Sequence, residues 1–445
     1  MTTLTGAVTQ PTGSDPRSTS FVPAYYLASY GLYVAIFSAT LGGVSVKVQG
    51  LVPLDQAAQQ LGLITGLGAV FSILAQPITG AASDRTRWRH GMRRPWILAG
   101  ALGTFVGLAG TGAAGDLASL TISFCAAQLF ANMAHAAANA TIADQVPAAH
   151  RGRVAGAVAS CAPVSLLTAA VALSYLPSNF LRLTVPAGCA VVFCTWFALR
   201  LDDRVLPPPT RVSRQASGRA SGRAWGRALW PALRRSFAFA PGSGRNLTWV
   251  WATRALIMLG FAGVGSYLTL YLAAQFQITD GTDQLRFAMY AIFIQTPCVV
   301  LAGHLGGQLA DRTGHRRLLV CWGGLLIAAG IGIVAGAAVV GHDLGLATVL
   351  VGEAVIGVGV GLFLGVDLAL AIEVLPDPAR QAKDLAVLNT AASIPQVIAP
   401  VLGGLLVLPL MRDLAPDLAY PTWFGLSAVA SAVGGLLVWK IDGVR

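Results

Sequence analysis

The sequence predicts an all-α integral membrane protein with twelve transmembrane helices in two pseudo-symmetric halves of six. Four observations lead to this prediction. Apolar residues make up 55% of the 445-residue chain and charged residues only 11%, whereas roughly 25% of the residues in soluble domains are charged. The apolar residues form runs long enough to cross a hydrocarbon core as helices. The charged residues lie between these runs, and one loop motif occurs twice.

The apolar runs predict twelve membrane-spanning helices, numbered 1 to 12 in chain order. A helix needs about 20 residues to cross the hydrocarbon core. Strands of a membrane barrel would alternate in polarity, and the run at 98–113 does not, which excludes a barrel. The predicted helices span residues 22–46, 57–82, 95–114, 117–143, 153–176, 183–201, 246–275, 286–310, 317–340, 345–374, 383–408 and 420–440.

The predicted helices group into an N-terminal half at 22–201 and a C-terminal half at 246–440. Residues 202–245 between them form a basic cytoplasmic linker rich in Pro, Gly, Ser and Arg. This composition favours a flexible chain, although residues 225–237 are equally consistent with a basic helix at the membrane surface. Residues 1–21 and 441–445 are predicted to be cytoplasmic tails.

The basic residues predict the orientation in the cell membrane. With both termini cytoplasmic, the inward segments hold 25 of the 30 Lys and Arg residues, as the positive-inside rule requires. Cytoplasmic loops facing anionic lipid account for the net charge of +11, so nucleic-acid binding is not expected. The outward loops hold only Lys47, Arg182, Arg286 and Arg412.

Nothing in the sequence indicates an enzyme, a metal site or a cofactor. All six cysteines fall within apolar runs, where a thiol behaves as a small hydrophobe. The glycines at 110–115 match the dinucleotide-binding fingerprint in letters, but they close a membrane helix and follow no strand. No catalytic triad and no nucleotide-binding loop occurs.

An internal repeat relates the two halves. A Gly-x-x-x-Asp-Arg loop after helix 2 recurs 227 residues later after helix 8. Two adjacent arginines follow each copy of the loop. An acid and an arginine after helix 4 recur 229 residues later after helix 10. Duplicated halves around a site near the midplane are the architecture of secondary transporters. The repeated residues are Gly80, Asp84, Arg85, Arg93, Arg94, Asp144 and Arg151, matched by Gly307, Asp311, Arg312, Arg316, Arg317, Glu373 and Arg380.

These loops resemble the inter-helix motif of the major facilitator superfamily, and the arrangement of six plus six helices covers nearly the whole chain. Shorter patterns resemble plant sucrose carriers and the glycoside-pentoside-hexuronide cation symporters. They are Gln76-Pro77, Ser83-Asp84-Arg85, Gly91-Met92-Arg93-Arg94-Pro95, Leu388-Asn389 and Ile394-Pro395-Gln396. The resemblance implies the major facilitator fold and a secondary active transporter that carries a sugar or glycoside with a proton by alternating access.

The resemblance also implies that the repeated loop residues form a conformational latch, which holds the cytoplasmic ends of the halves together in the outward-open state. Asp84 and Asp311 can each pair with a nearby arginine or with the dipole of a facing helix. The alternative is that the arginines only set the topology.

Two polar stripes are candidates for substrate binding. Residues spaced by three or four lie on one face of a helix, and polar groups in a membrane helix are costly unless they face the bundle interior or water. The stripes are Tyr26, Tyr30, Tyr33 and Phe37 on helix 1 and Gln128, Asn132, His135 and Asn139 on helix 4. Helices 1, 4, 7 and 10 line the cavity in the superfamily, so the resemblance assigns both stripes to substrate. The alternative is hydrogen bonding between helices, which we favour for Asn389, Ser393 and Gln396 on helix 11.

Three charged residues lie within predicted helices and away from the helix ends: Asp367 and Glu353 on helix 10 and Arg254 on helix 7. Ionisable groups in the membrane are candidates for function. Asp367 facing a low-dielectric cavity could exchange the coupled proton, whereas pairing with Arg254 would hold it ionised. His135 is a second proton candidate. The paired acids that sodium-coupled symporters carry in helix 2 are absent from residues 57–82, so sodium coupling is not expected, and helix 4 also lacks an acid at mid-membrane depth.

Two other functions stay open. A drug–proton antiporter would resemble its relatives through Gly-Pro-x-x-Gly-Gly in helix 5, where this chain has only Ala162-Pro163 and no glycine pair after it. A transporter-like sensor that moves no solute is the second. The expected partners are a small solute, protons and membrane lipid, and the chain is expected to act as a monomer.

Overall fold

A computed structural model describes residues 16–89, 91–146, 161–203, 244–374 and 381–442. These residues form twelve long helices and no strand. Eleven are long and apolar enough to cross a membrane, and the described part of α5 is shorter. The helices are α1 (Pro16–Ser38, a π-helical turn Ala39–Gly43, and Val44–Gln49), α2 (Leu54–Ser83), α3 (Arg94–Ala113), α4 (Leu117–Gln145), α5 (Cys161–Tyr175), α6 (Asn179–Arg200), α7 (Gly244–Phe276), α8 (Gly281–Thr313), α9 (Arg316–Gly336), α10 (His342–Glu373), α11 (Gln381–Leu402, a π-helical turn Gly403–Val407, and Leu408–Leu414) and α12 (Ala419–Leu437).

Several helices begin earlier than the apolar runs predicted. The first begins at Pro16 and not at residue 22, the sixth at Asn179 and not at 183, and the eighth at Gly281 and not at 286. Side-chain caps explain the last two, because Ser178 Oγ accepts a hydrogen bond from the Leu181 amide at 3.2 Å and Asp280 Oδ1 accepts one from the Thr282 amide at 2.7 Å. A hydropathy pattern detects only the part of a helix that lies in the hydrocarbon core. Polar capping residues stabilise additional helical turns in the membrane–water interface. The predicted start of helix 5 and the linker from 204 to 243 lie outside the described residues.

The two halves repeat one packing pattern. In the N-terminal half α1 packs on α5 and α6, α4 packs on α2 and α3, and α3 also packs on α6. In the C-terminal half α7 packs on α11 and α12, α10 packs on α8 and α9, and α9 also packs on α12. Each of these contacts in one half therefore has its counterpart six helices later, which confirms the predicted pseudo-symmetry.

Glycine allows the closest helix contacts in both halves. A methyl group on Gly107 of α3 would lie 2.6 Å from the Ala127 amide nitrogen of α4. One on Gly330 of α9 would lie 2.7 Å from the Gly352 carbonyl oxygen of α10. The hydrophobic effect does not drive helix association within lipid. The helices associate through van der Waals contacts, which small residues make possible by letting the backbones approach closely.

Hydrogen bonds join the halves at one end of the bundle. We call this end the outer end and the opposite end the inner end. The outer end carries the turns that the sequence predicts to face outward, at 50–53, 114–116, 176–178, 277–280 and 340–341. Ser45 Oγ and Thr269 Oγ1 lie 2.7 Å apart between α1 and α7. Further cross-half bonds between described residues run from Gln49 Nε2 to Gln284 Oε1 at 2.9 Å, from Gln284 Nε2 to Gln49 Oε1 at 3.0 Å, from Ser174 Oγ to the Leu285 oxygen at 3.1 Å, from Arg182 Nη2 to Thr282 Oγ1 at 3.0 Å, and from Arg412 Nη1 to the Asp55 oxygen at 3.0 Å. The outer end is therefore closed.

Close backbone packing between α2 and α11 completes this closure. A methyl group on Gly62 would lie 2.6 Å from the Pro400 carbonyl oxygen and 3.0 Å from the Gly404 α-carbon. Tyr267 of α7 donates a hydrogen bond to the same Pro400 oxygen at 2.5 Å. The π-helical turn Gly403–Val407 follows Pro400, a residue that has no amide hydrogen for the helix ladder. The contact therefore depends on two glycines and a local break in α11.

We predict that Gly62→Ala opens the outer end. The added methyl group cannot fit against Pro400 and Gly404 in the closed arrangement, and overpacking of this kind costs about 1–3 kcal/mol. Such a cost raises the ratio of outer-open to outer-closed molecules about 5- to 150-fold. Hydrogen–deuterium exchange should then be faster in the outer turns of α2 and α11.

Gly425→Ala is the matched control, because Gly425 of α12 is also helical and has nothing within 4 Å of an added methyl group. Equal exchange in the two variants would show that the contact at Gly62 does not control closure.

Candidate functional site

An aromatic cluster joins α1 and α4 near the middle of the bundle. The rings of Tyr33 and His135 meet edge to face with centroids 4.7 Å apart, and Phe37 stacks on Tyr33 at 5.7 Å. Tyr33 and His135 lie within about 6 Å of the midpoints of their helices, at 1.5 Å per residue. The cluster thus presents aromatic faces next to an imidazole, which can donate or accept a hydrogen bond.

Amide groups extend this cluster toward α2. Gln76 Nε2 of α2 donates to Asn132 Oδ1 at 3.1 Å, and Asn132 Nδ2 donates to the Gln128 carbonyl oxygen at 2.9 Å. Gln76 was not among the predicted site residues, although a glutamine within an apolar run was a visible signal. Both polar ends of Asn132 have protein partners, so at this position the geometry supports the alternative of hydrogen bonding between helices.

Tyr25 contacts the helix 4 stripe although the spacing selected Tyr26. Its hydroxyl donates to Asn139 Oδ1, and its ring packs on Phe21 and Phe197. Tyr25 is 1% exposed, whereas Tyr26 is half-buried. Nothing in the local sequence separates the two tyrosines, because which one meets α4 depends on the rotation of α1 against its neighbours.

Tyr30 lies at a different interface from Tyr33. Its hydroxyl donates to Thr168 Oγ1 of α5 at 2.8 Å, and its ring lies 6.2 Å from Phe193 of α6. The structure therefore brings Tyr33 and His135 together and places Tyr30 between α5 and α6.

Two intramembrane charges of the C-terminal half form an ion pair. Arg254 Nη2 of α7 lies 2.5 Å from Asp367 Oδ2 of α10, with side-chain exposures of 12% and 4%. Arg254 Nη1 also approaches the Leu388 oxygen of α11 at 3.4 Å. The pair joins three helices, and removing one charge would leave the other buried and uncompensated.

Glu353, the third intramembrane charge, has a different neighbour. Gln295 Nε2 of α8 donates to Glu353 Oε2 at 2.8 Å, and both side chains are buried. Glu353 and Asp367 share α10, but one contacts α8 and the other α7. They therefore form two separate sites.

The repeated loop residues of the N-terminal half converge on Arg93 at the inner end. Its guanidinium lies 2.5 Å from Asp84 Oδ1, 3.2 Å from Asp144 Oδ2 and 2.5 Å from Ser83 Oγ. Arg93 is 5% exposed, so this one side chain ties together the inner ends of α2, α3 and α4.

Asp203, which the sequence analysis did not select, supports this network. Its Oδ2 accepts from the backbone amides of Arg93 at 2.7 Å and Arg94 at 2.8 Å. Gly91 has a φ of +117° and packs against Asp203, so a side chain there would be strained and would clash. Arg94 donates to the Leu201 oxygen.

The C-terminal half repeats part of the network. Arg316 Nη1 lies 2.6 Å from Glu373 Oε2, which joins α9 to α10 as Arg93 and Asp144 join α3 to α4. Asp311 and Arg312 are exposed, and Gly307 lies near α10, where an added methyl group would be 3.6 Å from the Gly365 oxygen. Gly80 has open space around it. Arg151 and Arg380 lie outside the described residues.

Comparisons with known proteins agree with this architecture. The family model of the Major Facilitator Superfamily matches residues 19–338 and, in a second match, 250–444. No curated protein matches the chain in sequence.

Several solved structures are similar over almost their whole length. The xylose transporter XylE from E. coli, in a partially occluded inward open conformation, has a TM-score of 0.63 and 16% identity, with 96% of this chain and 99% of that chain covered. The peptide transporter POT in complex with sulfate has a TM-score of 0.70 and 12% identity, with 95% and 94% covered. The nucleoside transporter NupG has a TM-score of 0.65 and 11% identity, with 95% and 100% covered.

At these identities the structural likeness shows the fold alone. The family match, which spans both halves, goes further. Together with the apolar helices, it shows that the chain belongs to the major facilitator superfamily and is a multi-pass membrane transporter.

Proposed function

We propose that this transporter carries a sugar, or another small polar solute with hydroxyl groups, together with a proton into the cell. The observation that carries the proposal is the cluster of Tyr33, Phe37 and His135 at mid-depth between α1 and α4. Aromatic faces suit the apolar face of a sugar ring, and imidazole and amide groups suit its hydroxyls. The xylose transporter among the structural neighbours carries a solute of this class.

Counterflow in proteoliposomes tests this function. Liposomes loaded with one unlabelled sugar should take up the same labelled sugar, and a panel of mono- and disaccharides would identify the solute. Counterflow of a cationic drug with no sugar uptake would favour the antiporter. Binding of a sugar without any counterflow would favour the sensor.

In the proposed cycle, the outer contacts break as the latch at the inner end forms. The latch rests on the network around Arg93, because the Asp84 side chain is 61% exposed and can meet a helix end of the other half while it stays paired with Arg93. An exposed ion pair contributes about 1 kcal/mol or less, but an interaction formed in only one state shifts the population by its whole value.

For the site, we predict that Tyr33→Ala weakens solute binding. Loss of the aromatic contact should cost about 0.5–1.5 kcal/mol of binding free energy, in addition to the free energy lost with the buried apolar area. Tyr30→Ala removes an equal ring at the α5 and α6 interface, so it should lower thermal stability and keep wild-type affinity. Equilibrium binding of the sugar found by counterflow measures both. Equal loss of affinity in the two variants would indicate that the helix 1 stripe serves helix packing and does not bind solute.

For the latch, we predict that Asp84→Asn shifts the population toward the outer-closed state and slows transport without abolishing solute binding. Amide hydrogens at the inner ends of α2 and α4 should exchange faster with deuterium. The control is Asp283→Asn, which removes an equally exposed aspartate paired with Arg286 at the outer end. The latch is excluded if Asp84→Asn and Asp283→Asn give the same exchange and transport.

For the intramembrane ion pair, we predict that Asp367→Asn destabilises the protein by about 3–5 kcal/mol, because Arg254 is left buried without its counter-charge. Adding Arg254→Gln should partly restore both thermal stability and solute exchange. An Asp367→Asn protein with normal stability and exchange but no accumulation would instead make Asp367 the proton carrier.

A further inference from the structure

Glu353 is a carboxyl group buried near the middle of the C-terminal half. It is 6% exposed and lies within about 7 Å of the midpoint of α10. Its partner Gln295 is 9% exposed and lies within about 3 Å of the midpoint of α8. The two side chains therefore meet at the depth where a transporter of this architecture holds its solute and coupling ion.

The neighbour of Glu353 is neutral. Gln295 Nε2 donates one hydrogen bond to Glu353 Oε2 at 2.8 Å. Arg254, the intramembrane cation among the described residues, lies against Asp367, which is 14 residues farther along α10. Glu353 is therefore about 21 Å along the helix axis from the group to which Arg254 is bound.

The other helices around α10 offer no cation to Glu353 in the described part of the chain. On α8, Cys298 lies near Gly357, one turn beyond Glu353. On α9, residues 325–336 are apolar or glycine. On α7, the Tyr267 and Tyr271 hydroxyls donate to the carbonyl oxygens of Pro400 and Val334.

This environment favours the protonated carboxyl. An ionised carboxylate buried without a counter-charge is costly, and such a group takes up a proton instead. Glu353 Oε2 accepts from Gln295, which leaves Oε1 to hold the proton. Asp367 differs, since its guanidinium partner stabilises the ionised form.

Close packing between α8 and α10 flanks Glu353 on its inner side in the outer-closed arrangement. A methyl group on Gly357 would lie 2.6 Å from the Gln295 carbonyl oxygen, and one on Gly365 would lie 2.5 Å from the Gly303 oxygen. The backbones of α10 and α8 therefore touch along two turns beyond Glu353. Glu353 is 6% exposed in this arrangement, so we expect its exchange of protons with water to follow a change in the packing around α10.

We propose that Glu353 carries the coupled proton and that Gln295 is its positioning residue. The inference rests on the proposed proton symport. On loading, a proton from external hydronium forms an O–H bond at Oε1, and the charge of the carboxyl changes from −1 to 0. On release, that bond breaks and the proton passes to cytoplasmic water.

An infrared titration of the full-length protein in liposomes tests protonation without any solute. The wild-type protein should show a carboxylic-acid C=O band at neutral pH that disappears at alkaline pH. Glu353→Gln should lack this band and Asp367→Asn should keep it. The proposal is overturned if the Glu353→Gln protein shows the wild-type band, or if the wild-type protein has none at neutral pH.

Transport assays test the coupling itself with the sugar that counterflow identifies. Glu353→Gln preserves the size of the side chain and its hydrogen bond from Gln295, so counterflow should continue at the wild-type rate, while accumulation driven by a pH gradient should fall to the external concentration. Glu353→Asp should restore part of the accumulation. Wild-type accumulation by Glu353→Gln would disprove the role of Glu353. Absence of sugar counterflow in the wild-type protein would refute the proposed solute, and the infrared result would still decide protonation.

Discussion

The hydrocarbon interior of the membrane offers no partner for a polar group, and this constraint accounts for most of the structure. Every backbone group must be satisfied within its own segment, so the membrane-spanning parts of the described chain are helices. Because lipid is as apolar as the side chains, the helices are held by close contact between backbones. This is why glycines such as Gly107 and Gly330 lie at close helix crossings in the two halves.

The same constraint decides where the halves can separate. At the outer end they are joined by hydrogen bonds between short polar side chains, such as Ser45 with Thr269, and by the glycine contact at Gly62. These contacts are individually weak and can be broken together. The helix contacts within each half are, by contrast, more extensive than those between the halves, which supports the proposed movement of each half as a unit.

Charge inside the membrane is handled in two ways. Asp367 is paired with Arg254, which also approaches α11, an arrangement suited to holding α7, α10 and α11 together. Among the described residues, Glu353 has the neutral side chain of Gln295 as its hydrogen-bond donor, an arrangement suited to a proton that is taken up and released. Two acids on one helix thus differ in chemistry because they meet different neighbouring helices.

The sequence by itself determined the membrane class, the helices and the duplication, because hydrophobic length and repeated loop motifs are local properties of the chain. The pairing of Arg93 with Asp84 and Asp144 was anticipated as a set of loop residues, but the roles of Asp203 and Gln76 were not. Only the tertiary structure decided that Tyr33 meets His135 while Tyr30 meets Thr168, and that Arg254 pairs with Asp367 and leaves Glu353 to Gln295. These choices depend on the rotation of each helix about its axis and on its neighbour at each depth, and spacing along one helix carries no information about either.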